Sequence, residues 1–351
     1  MAVTLKDIAE KAGVSISTVS RVVNNDQNKP ASRKTSEKVW SIIRKLGYVP
    51  NPDARNLIKN NKSALPPLTK TIACILTSQK DTYRDPFFSQ IMMGIQSEAA
   101  LHGYVVGYTF SYHEDESALY QHITSSRVDG AIVLGRMNED FLNFLKSNIK
   151  NLVYAGLNKI GRDLDEVICD AYEATCSAVE HLISLGHKRI GYIGAIPSQA
   201  KNNVINEHRF TAFKDTLDKY GIPLNNHHIK NIILSSKEGY DGMCEIIEAG
   251  DLPTAVFCGN DIVAIGAMKA AHKSGIRIPK DISFVGLDNI EVAEYVRPAL
   301  TTIHVPKEDL GRFAVKLLVD RINNGHEVNA LLKLPFTLIV RESCGPCKSE
   351  G

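Results

Sequence analysis

Four residues near the N-terminus, Ile16, Ser17, Thr18 and Arg21, carry side chains suited to touching the edges and backbone of a nucleic-acid duplex. A guanidinium bonds two acceptors of a guanine or a phosphate, a hydroxyl bonds either, and an aliphatic chain packs on a thymine methyl. Their spacing places them on the leading turn and outer face of one short helix, with Val19, Val22 and Val23 turned inward. Lys6, Lys11, Arg33, Lys34 and Lys38 add positive charge around them, which attracts a polyanion without reading its sequence. The charge is segregated: residues 1–62 hold twelve Lys and Arg against five Asp and Glu, a surplus of seven, while the whole chain stands at +2 and the rest therefore at −5. A basic module carried on an ordinary globular body is the expected arrangement.

That helix needs a scaffold, and the flanking residues provide one. Thr4 and Asp7 form a capping box for a first helix whose Leu5, Ile8, Ala9 and Ala12 line one face, and Gly13 stops it. Ser15 caps the second helix, and a third starts near Ser32, carries Val39, Ile42, Ile43 and Leu46 at helical spacing and ends at Gly47. Trp40 falls at a position expected to be half-buried. Asn51 and Pro52 then open a helix of about two turns through Lys59, too short to persist in water without a partner. Asn60 to Thr69, with Pro66-Pro67 inside it, reads as a linker.

From Lys70 the texture changes to short apolar runs alternating with amphipathic stretches. Strands are predicted at 71–77, 104–110, 129–134, 151–155, 188–194, 229–234, 254–258 and 282–287, with a helix after Pro86 and further helices after most of the strands. Parallel sheets covered by helices on both faces explain that rhythm. At 351 residues the chain is long enough for two or three domains.

Other chemistry finds little support. The phosphate-binding glycine loops, the nucleophile elbow and the zinc-protease helix motif are all missing from the sequence. His227 and His228 are adjacent, so they do not share a helix face as a metal pair would, and both are expected at the surface. Seven cysteines, an odd number over a long chain, point to reduced thiols; Cys344 and Cys347 have redox-motif spacing but lie in the last eight residues, where a frayed tail is expected. No secretory leader and no run of eighteen uncharged apolar residues is found, so a cytoplasmic protein with no membrane partner is expected. We expect no catalysis, no cofactor and no metal.

The run Thr4-Leu-Lys-Asp-Ile-Ala-Glu-Lys-Ala-Gly-Val-Ser-Ile-Ser-Thr-Val-Ser-Arg-Val-Val-Asn24 resembles the opening of the lactose/galactose repressor (LacI/GalR) family. Gly47-Tyr-Val-Pro-Asn51, Ala54-Arg55-x-Leu57, Asp85-Pro-Phe-Phe88, Gly186-His-Lys-Arg-Ile-Gly-Tyr-Ile-Gly194, Cys258-Gly-Asn-Asp261 and Pro298-Ala-Leu-Thr-Thr-Ile303 continue the resemblance in order over nearly the whole chain. It implies an all-α helix-turn-helix headpiece at 1–50 and a hinge helix with linker at 51–69. An α/β effector-binding and dimerisation domain of the periplasmic-binding-protein type follows at 70–345. Its two Rossmann-like subdomains, joined by three crossovers, are expected at about 70–158 plus 290–325 and about 159–289 plus 326–345.

The resemblance also implies roles. Thr4, Ser15, Ile16, Ser17, Thr18, Arg21 and Asn24 in the headpiece, with Ala54, Arg55, Leu57 and Lys59 in the hinge, are the expected DNA-contacting set. Leu57 is the expected minor-groove wedge, its unstacking cost of about a few kcal/mol offset by contacts that a bent duplex allows. Many relatives follow that leucine with a basic or small polar residue, and Ile58 departs from this, so contacts beyond the wedge do not follow from the resemblance. Phe87, Arg209, Asn260, Asp261 and Asp288 match the family's ligand cleft. Arginine, amide and carboxylate groups suit vicinal hydroxyls, although Asn260, Asp261 and Asp288 could equally serve turns and caps. Leu234 replaces an aromatic platform, and Asn203 stands where purine-sensing relatives have an arginine. The expectation is a homodimeric repressor that binds double-stranded operator DNA and is released by a sugar; the alternatives are a co-repressed regulator sensing a nucleobase or other metabolite, and a solute-binding protein.

Overall fold

The computed structural model describes residues 3–24, 31–46, 48, 68–77, 85–111, 123, 127–161, 163–197 and 204–347. Its first element, α1 (Leu5–Ala12), starts at a reciprocal capping box between Thr4 and Asp7 and stops at Gly13, whose φ of 64° is the left-handed conformation glycine adopts cheaply. The second, α2 (Ile16–Asn24), is capped by Ser15, whose Oγ accepts from the Thr18 amide at 3.1 Å. Ser32 caps α3 (Arg33–Leu46) in the same way, accepting from the Thr35 amide at 3.2 Å. Ile8, Val19, Val22, Val39 and Ile43 form the core between the three helices. Trp40 joins them at 1% exposure and so is fully buried, not half-buried: in so small a bundle the largest ring is needed to fill the centre.

Two six-stranded sheets follow. The first runs β11-β5-β4-β3-β1-β2, from β1 (Thr71–Leu76), β2 (Val105–Ser111), β3 (Gly130–Leu134), β4 (Leu152–Gly156), β5 (Asp165–Ile168) and β11 (Leu331–Lys333), with every pairing parallel. The second runs β12-β10-β9-β8-β6-β7, from β6 (Ile190–Gly194), β7 (Ile229–Asn231), β8 (Ala255–Cys258), β9 (Ser283–Asp288), β10 (Thr301–His304) and β12 (Thr337–Ile339), and only β12 is antiparallel. The eight expected strands are present, and β5, β10, β11 and β12 are additional. Helices α4 (Pro86–Leu101), α5 (Glu139–Asn148), α6 (Ala171–Ser184), α7 (Arg209–Lys219), α8 (Ser236–Glu248), α9 (Asp261–Lys273), α10 (Val292–Tyr295) and α11 (Lys307–Ile322) complete the two layers. Gly94 and Gly311 let α4 and α11 touch backbone to backbone: a Cβ at Gly94 would lie 2.0 Å from the Glu308 carbonyl oxygen.

Sheet membership moves the expected subdomain boundaries. The strand at 165–168 belongs to the first sheet, the one at 301–304 to the second, and the one at 331–333 again to the first. The chain therefore crosses at 169–170, 305–306 and 334–336 rather than near 158, 290 and 325. Asp165 is the reason the first of these is hard to read. It is fully buried at the start of β5, held by the Arg321 guanidinium, the Ala330 amide (2.8 Å) and His326 Nε2 (2.9 Å). A charged strand is tolerated because remote groups satisfy the charge.

Two further expectations change. His228 is 1% exposed, its ring bonded to the Asp251 carbonyl at 2.8 Å, and only His227 is at the surface. The C-terminal segment is anchored, not frayed: the Gly345 amide donates to Ser283 Oγ (3.1 Å) and the Cys347 amide to the Leu185 carbonyl (2.8 Å). Burial pushes the Cys344 thiol up to about 11, which opposes the thiolate that redox chemistry needs. None of the seven cysteines is in a disulfide. Among the described residues no helix is long and apolar enough to cross a membrane, and no His, Cys, Asp and Glu cluster fits a metal ion.

Candidate functional site

The first face is the start of α2. Ile16 is 49% exposed, Ser15 and Ser17 are exposed, and Thr18 and Arg21 are half-buried. Arg21 lies back along its own helix, Nη2 donating to Thr18 Oγ1 (3.0 Å) and Nε to the Ser17 carbonyl (3.3 Å). Ser15 Oγ bonds Ser17 Oγ and Thr18 Oγ1, each at 2.8 Å. The hydroxyls and the guanidinium thus satisfy one another locally, and a duplex would have to supply replacement acceptors. Thr4 is taken up by its cap, bonding Asp7 Oδ2 at 2.7 Å. Asn24 ends α2, and its side chain lies outside the described residues, as do Ala54, Arg55, Leu57, Ile58 and Lys59 of the hinge and Asn203.

The second face lies between the sheets, where loops leave the carboxyl ends of parallel strands, the usual place for a ligand in such folds. Asp85 and Phe87 open α4: Asp85 caps it, accepting from the Phe87 amide at 2.9 Å. Phe87 is buried, with the Phe88 ring edge-on at 5.1 Å. From the second sheet, Arg209 begins α7. Its Nη1 donates to the Gly259 carbonyl (2.6 Å), and its other face grips Glu207, through Nε to Oε1 (2.8 Å) and Nη2 to Oε2. Arg136, after β3, brings Nη1 to 3.5 Å from the same Glu207 Oε2. Burial alone would push the Glu207 carboxyl up, but the Arg209 and Arg136 guanidiniums hold it below the usual range.

Asp288 ends β9 with a φ of 121°, an uncommon conformation for a non-glycine residue. Its Oδ1 is buried with no hydrogen-bond partner among the described residues. Burial, together with the Asp261 and Asp85 carboxylates, pushes the Asp288 carboxyl well above the carboxylate range. Lys307, from the N-terminus of α11 beyond the second crossover, donates to the carbonyls of Asp288 (2.5 Å), Asn289 (3.2 Å) and Val305 (3.2 Å). Asn158, after β4, likewise has a buried Oδ1 without a partner among the described residues.

The other two expected cleft residues are engaged in local structure. Asn260 caps α9, accepting from the Val263 amide at 3.0 Å. Asp261 is fully buried, with Oδ1 on Thr302 Oγ1 (2.5 Å) and Oδ2 on the Ile290 amide (2.8 Å), so neither oxygen is left for a ligand. Burial pushes its carboxyl up to about 7. A raised carboxyl pKa contributes stability that is full below about 3.8 and is lost as pH rises towards 7. Asp261→Asn removes that ionisation, so its unfolding free energy should vary less between pH 4 and pH 7 than wild type, a difference that urea denaturation at several pH values measures. Equal pH profiles would show that Asp261 does not titrate there.

Arg136, Asn158, Asn206, Glu207 and Lys307 were not expected in the site. Asn206 ties the two halves: its Oδ1 accepts from the Met137 amide (3.1 Å), and its Nδ2 donates to the Gly135 carbonyl (3.1 Å) and Tyr154 Oη (2.9 Å). Only Glu207 left a trace in the sequence, as a carboxylate two positions from an arginine.

Residues 4–51 match the profile described as bacterial regulatory proteins, lacI family, and residues 179–344 match that of a periplasmic binding protein-like domain. Over 355 aligned residues the chain is 34% identical to the HTH-type transcriptional repressor MelR of Bacillus subtilis, covering 99% of each. The chain belongs to the LacI family of bacterial regulatory proteins. A second relative, the HTH-type transcriptional repressor PurR of Erwinia tasmaniensis, is 35% identical over 97% of this chain and 96% of its own. Among solved structures, the transcriptional regulator CelR in complex with cellobiose aligns with a TM-score of 0.73 at 28% identity, covering 97% of this chain and 99% of that one. The lac repressor dimer bound to operator and the anti-inducer ONPF aligns at 0.67 and 28%, covering 98% and 99%. As a LacI-family member the protein is a DNA-binding, ligand-responsive transcriptional regulator, with the helix-turn-helix in α1 and α2 and the binding-protein-like fold in the two sheets.

Proposed function

We propose that the protein is a cytoplasmic homodimeric repressor whose α2 reads an operator half-site and whose cleft takes a sugar that releases it from DNA. The observation that carries the sugar reading is the pair of buried, unpartnered oxygens, Asn158 Oδ1, an amide acceptor, and Asp288 Oδ1, on a carboxyl able to donate or accept, one from each half of the cleft. Polar atoms buried without partners are costly, and a hydroxyl, which both donates and accepts, can satisfy either oxygen. Phe87 offers an apolar ring for a sugar face, and the cellobiose complex of CelR supports the same chemistry. In this reading Ile16, Ser17, Thr18 and Arg21 contact base edges and phosphates. The hinge, through Ala54, Arg55, Leu57 and Lys59, wedges the minor groove. The headpiece spans 1–50, the hinge and linker 51–69, and the effector domain the chain from 70.

The ligand acts only through its different affinity for two states, so a tenfold change in operator occupancy requires a difference of about 1.4 kcal/mol. The test is operator selection with the intact protein followed by titration at several salt concentrations, with and without a panel of mono- and oligosaccharides and, as counter-arm, nucleobases. We expect log affinity to fall steeply and linearly with log salt, and a sugar to weaken binding. A flat salt response overturns the DNA reading, and a response to nucleobases alone replaces the sugar with the co-repressor reading.

A further inference from the structure

Both arginines of the cleft converge on one carboxylate that the chain itself provides. Glu207 Oε2 is bracketed by Arg209 Nη2 and, at 3.5 Å, by Arg136 Nη1, and its side chain is 1% exposed. Two guanidiniums aimed at a single oxygen is the chemistry by which proteins hold a phosphate or carboxylate ligand. Here that oxygen is already present. The third cleft cation, Lys307, is spent on three backbone carbonyls. What remains in the cleft without a partner among the described residues are two oxygens, Asn158 Oδ1, an acceptor, and Asp288 Oδ1, which can accept or, protonated, donate. An incoming anion would find Glu207 already in the oxyanion position and Lys307 already bonded to carbonyls, while a neutral polyol, donor and acceptor at once, would satisfy the two unpartnered oxygens.

We propose that Glu207 is a specificity-determining residue, an internal counter-anion that occupies the oxyanion position between Arg136 and Arg209 and so restricts the effector to neutral, hydroxyl-rich molecules, excluding phosphorylated ones. Arg136 reaches Glu207 from the first half of the domain and Arg209 from the second, so the same carboxylate also bridges the two sheets. The inference rests on the cleft being the effector site. It reaches beyond that reading in assigning the charge selectivity to one residue pair and one carboxylate.

The experiment uses the full-length protein and inorganic phosphate, glucose and glucose 6-phosphate as probes, followed by calorimetry, with circular dichroism as the check on folding. Wild type should show no saturable binding of phosphate or of glucose 6-phosphate. Glu207→Gln, which keeps the shape and removes the charge, should gain phosphate affinity by at least tenfold, about 1.4 kcal/mol. The double variant Glu207→Gln with Arg136→Gln should lose most of that gain. Saturable binding of phosphate or glucose 6-phosphate to wild type overturns the proposal, as does a folded Glu207→Gln that gains nothing. If Glu207→Gln does not fold, the wild-type anion arms decide. If neutral sugars in the wider panel never bind yet Glu207→Gln gains phosphate, the sugar reading fails while the role of Glu207 stands.

Discussion

Replacing Arg209 with methionine destabilises the protein by about 3–5 kcal/mol and abolishes its response to the effector. The side chain is buried, and Glu207, buried beside it, accepts from this guanidinium on both carboxylate oxygens and from the Arg209 amide at 3.2 Å. Removing the guanidinium leaves a carboxylate in the interior with only the residue 209 amide and Arg136 at 3.5 Å, and the price of an under-compensated buried charge far exceeds that of a lost surface pair. The Gly259 carbonyl loses its donor as well. Urea denaturation measures the loss. A second substitution, Glu207→Leu, should restore most of the stability because the orphaned charge goes with it, yet the effector response should stay absent. A single variant that unfolds like wild type would show that Glu207 is solvated or protonated rather than held as an anion.

Arg321→Met should cost a similar amount, about 3–5 kcal/mol, at a place with no part in ligand or DNA contact. Arg321 binds both oxygens of Asp165, which is fully buried at the start of β5, and continues to the Val328 carbonyl and Asn329 Oδ1, both at 3.2 Å. Without it the carboxylate keeps His326 and the Ala330 amide but has no permanent cation. Calorimetric melting of the effector domain should drop by many degrees, with the headpiece transition unchanged. A loss below about 1 kcal/mol would place this ion pair with exposed ones.

The parts of the molecule that obey local rules were legible in the sequence. Thr4 with Asp7, Ser15 and Ser32 cap helices through atoms two or three residues away, and Gly13 terminates one through its own backbone freedom, so short windows contain the whole cause. Buried parallel strands such as Thr71–Leu76 are apolar along their length and announce themselves. What escaped depends on distant partners. Asp165-Glu166-Val167-Ile168 reads as a charged loop until Arg321 and Ala330 are brought to it, and His228 reads as surface until Asp251 covers it. In the cleft, Arg209, Phe87, Asp288 and Asp261 were all matched by resemblance, and that match could not tell that Asp261 spends both oxygens on Thr302 and the Ile290 amide. Glu207 and Arg136 lie 71 positions apart, joined only by the meeting of two sheets, and no periodicity connects them.

The three crossings also set a timetable for synthesis. A ribosome delivers Asp165 and then 156 further positions before Arg321 appears, roughly 8–30 s at ordinary elongation rates, and Ser343, which bonds the Thr301 amide and the Phe284 carbonyl, comes later still. Neither half of the domain can therefore finish folding until its late-arriving partner has been made. A premature stop after residue 330 would strip an outer strand from both sheets at once.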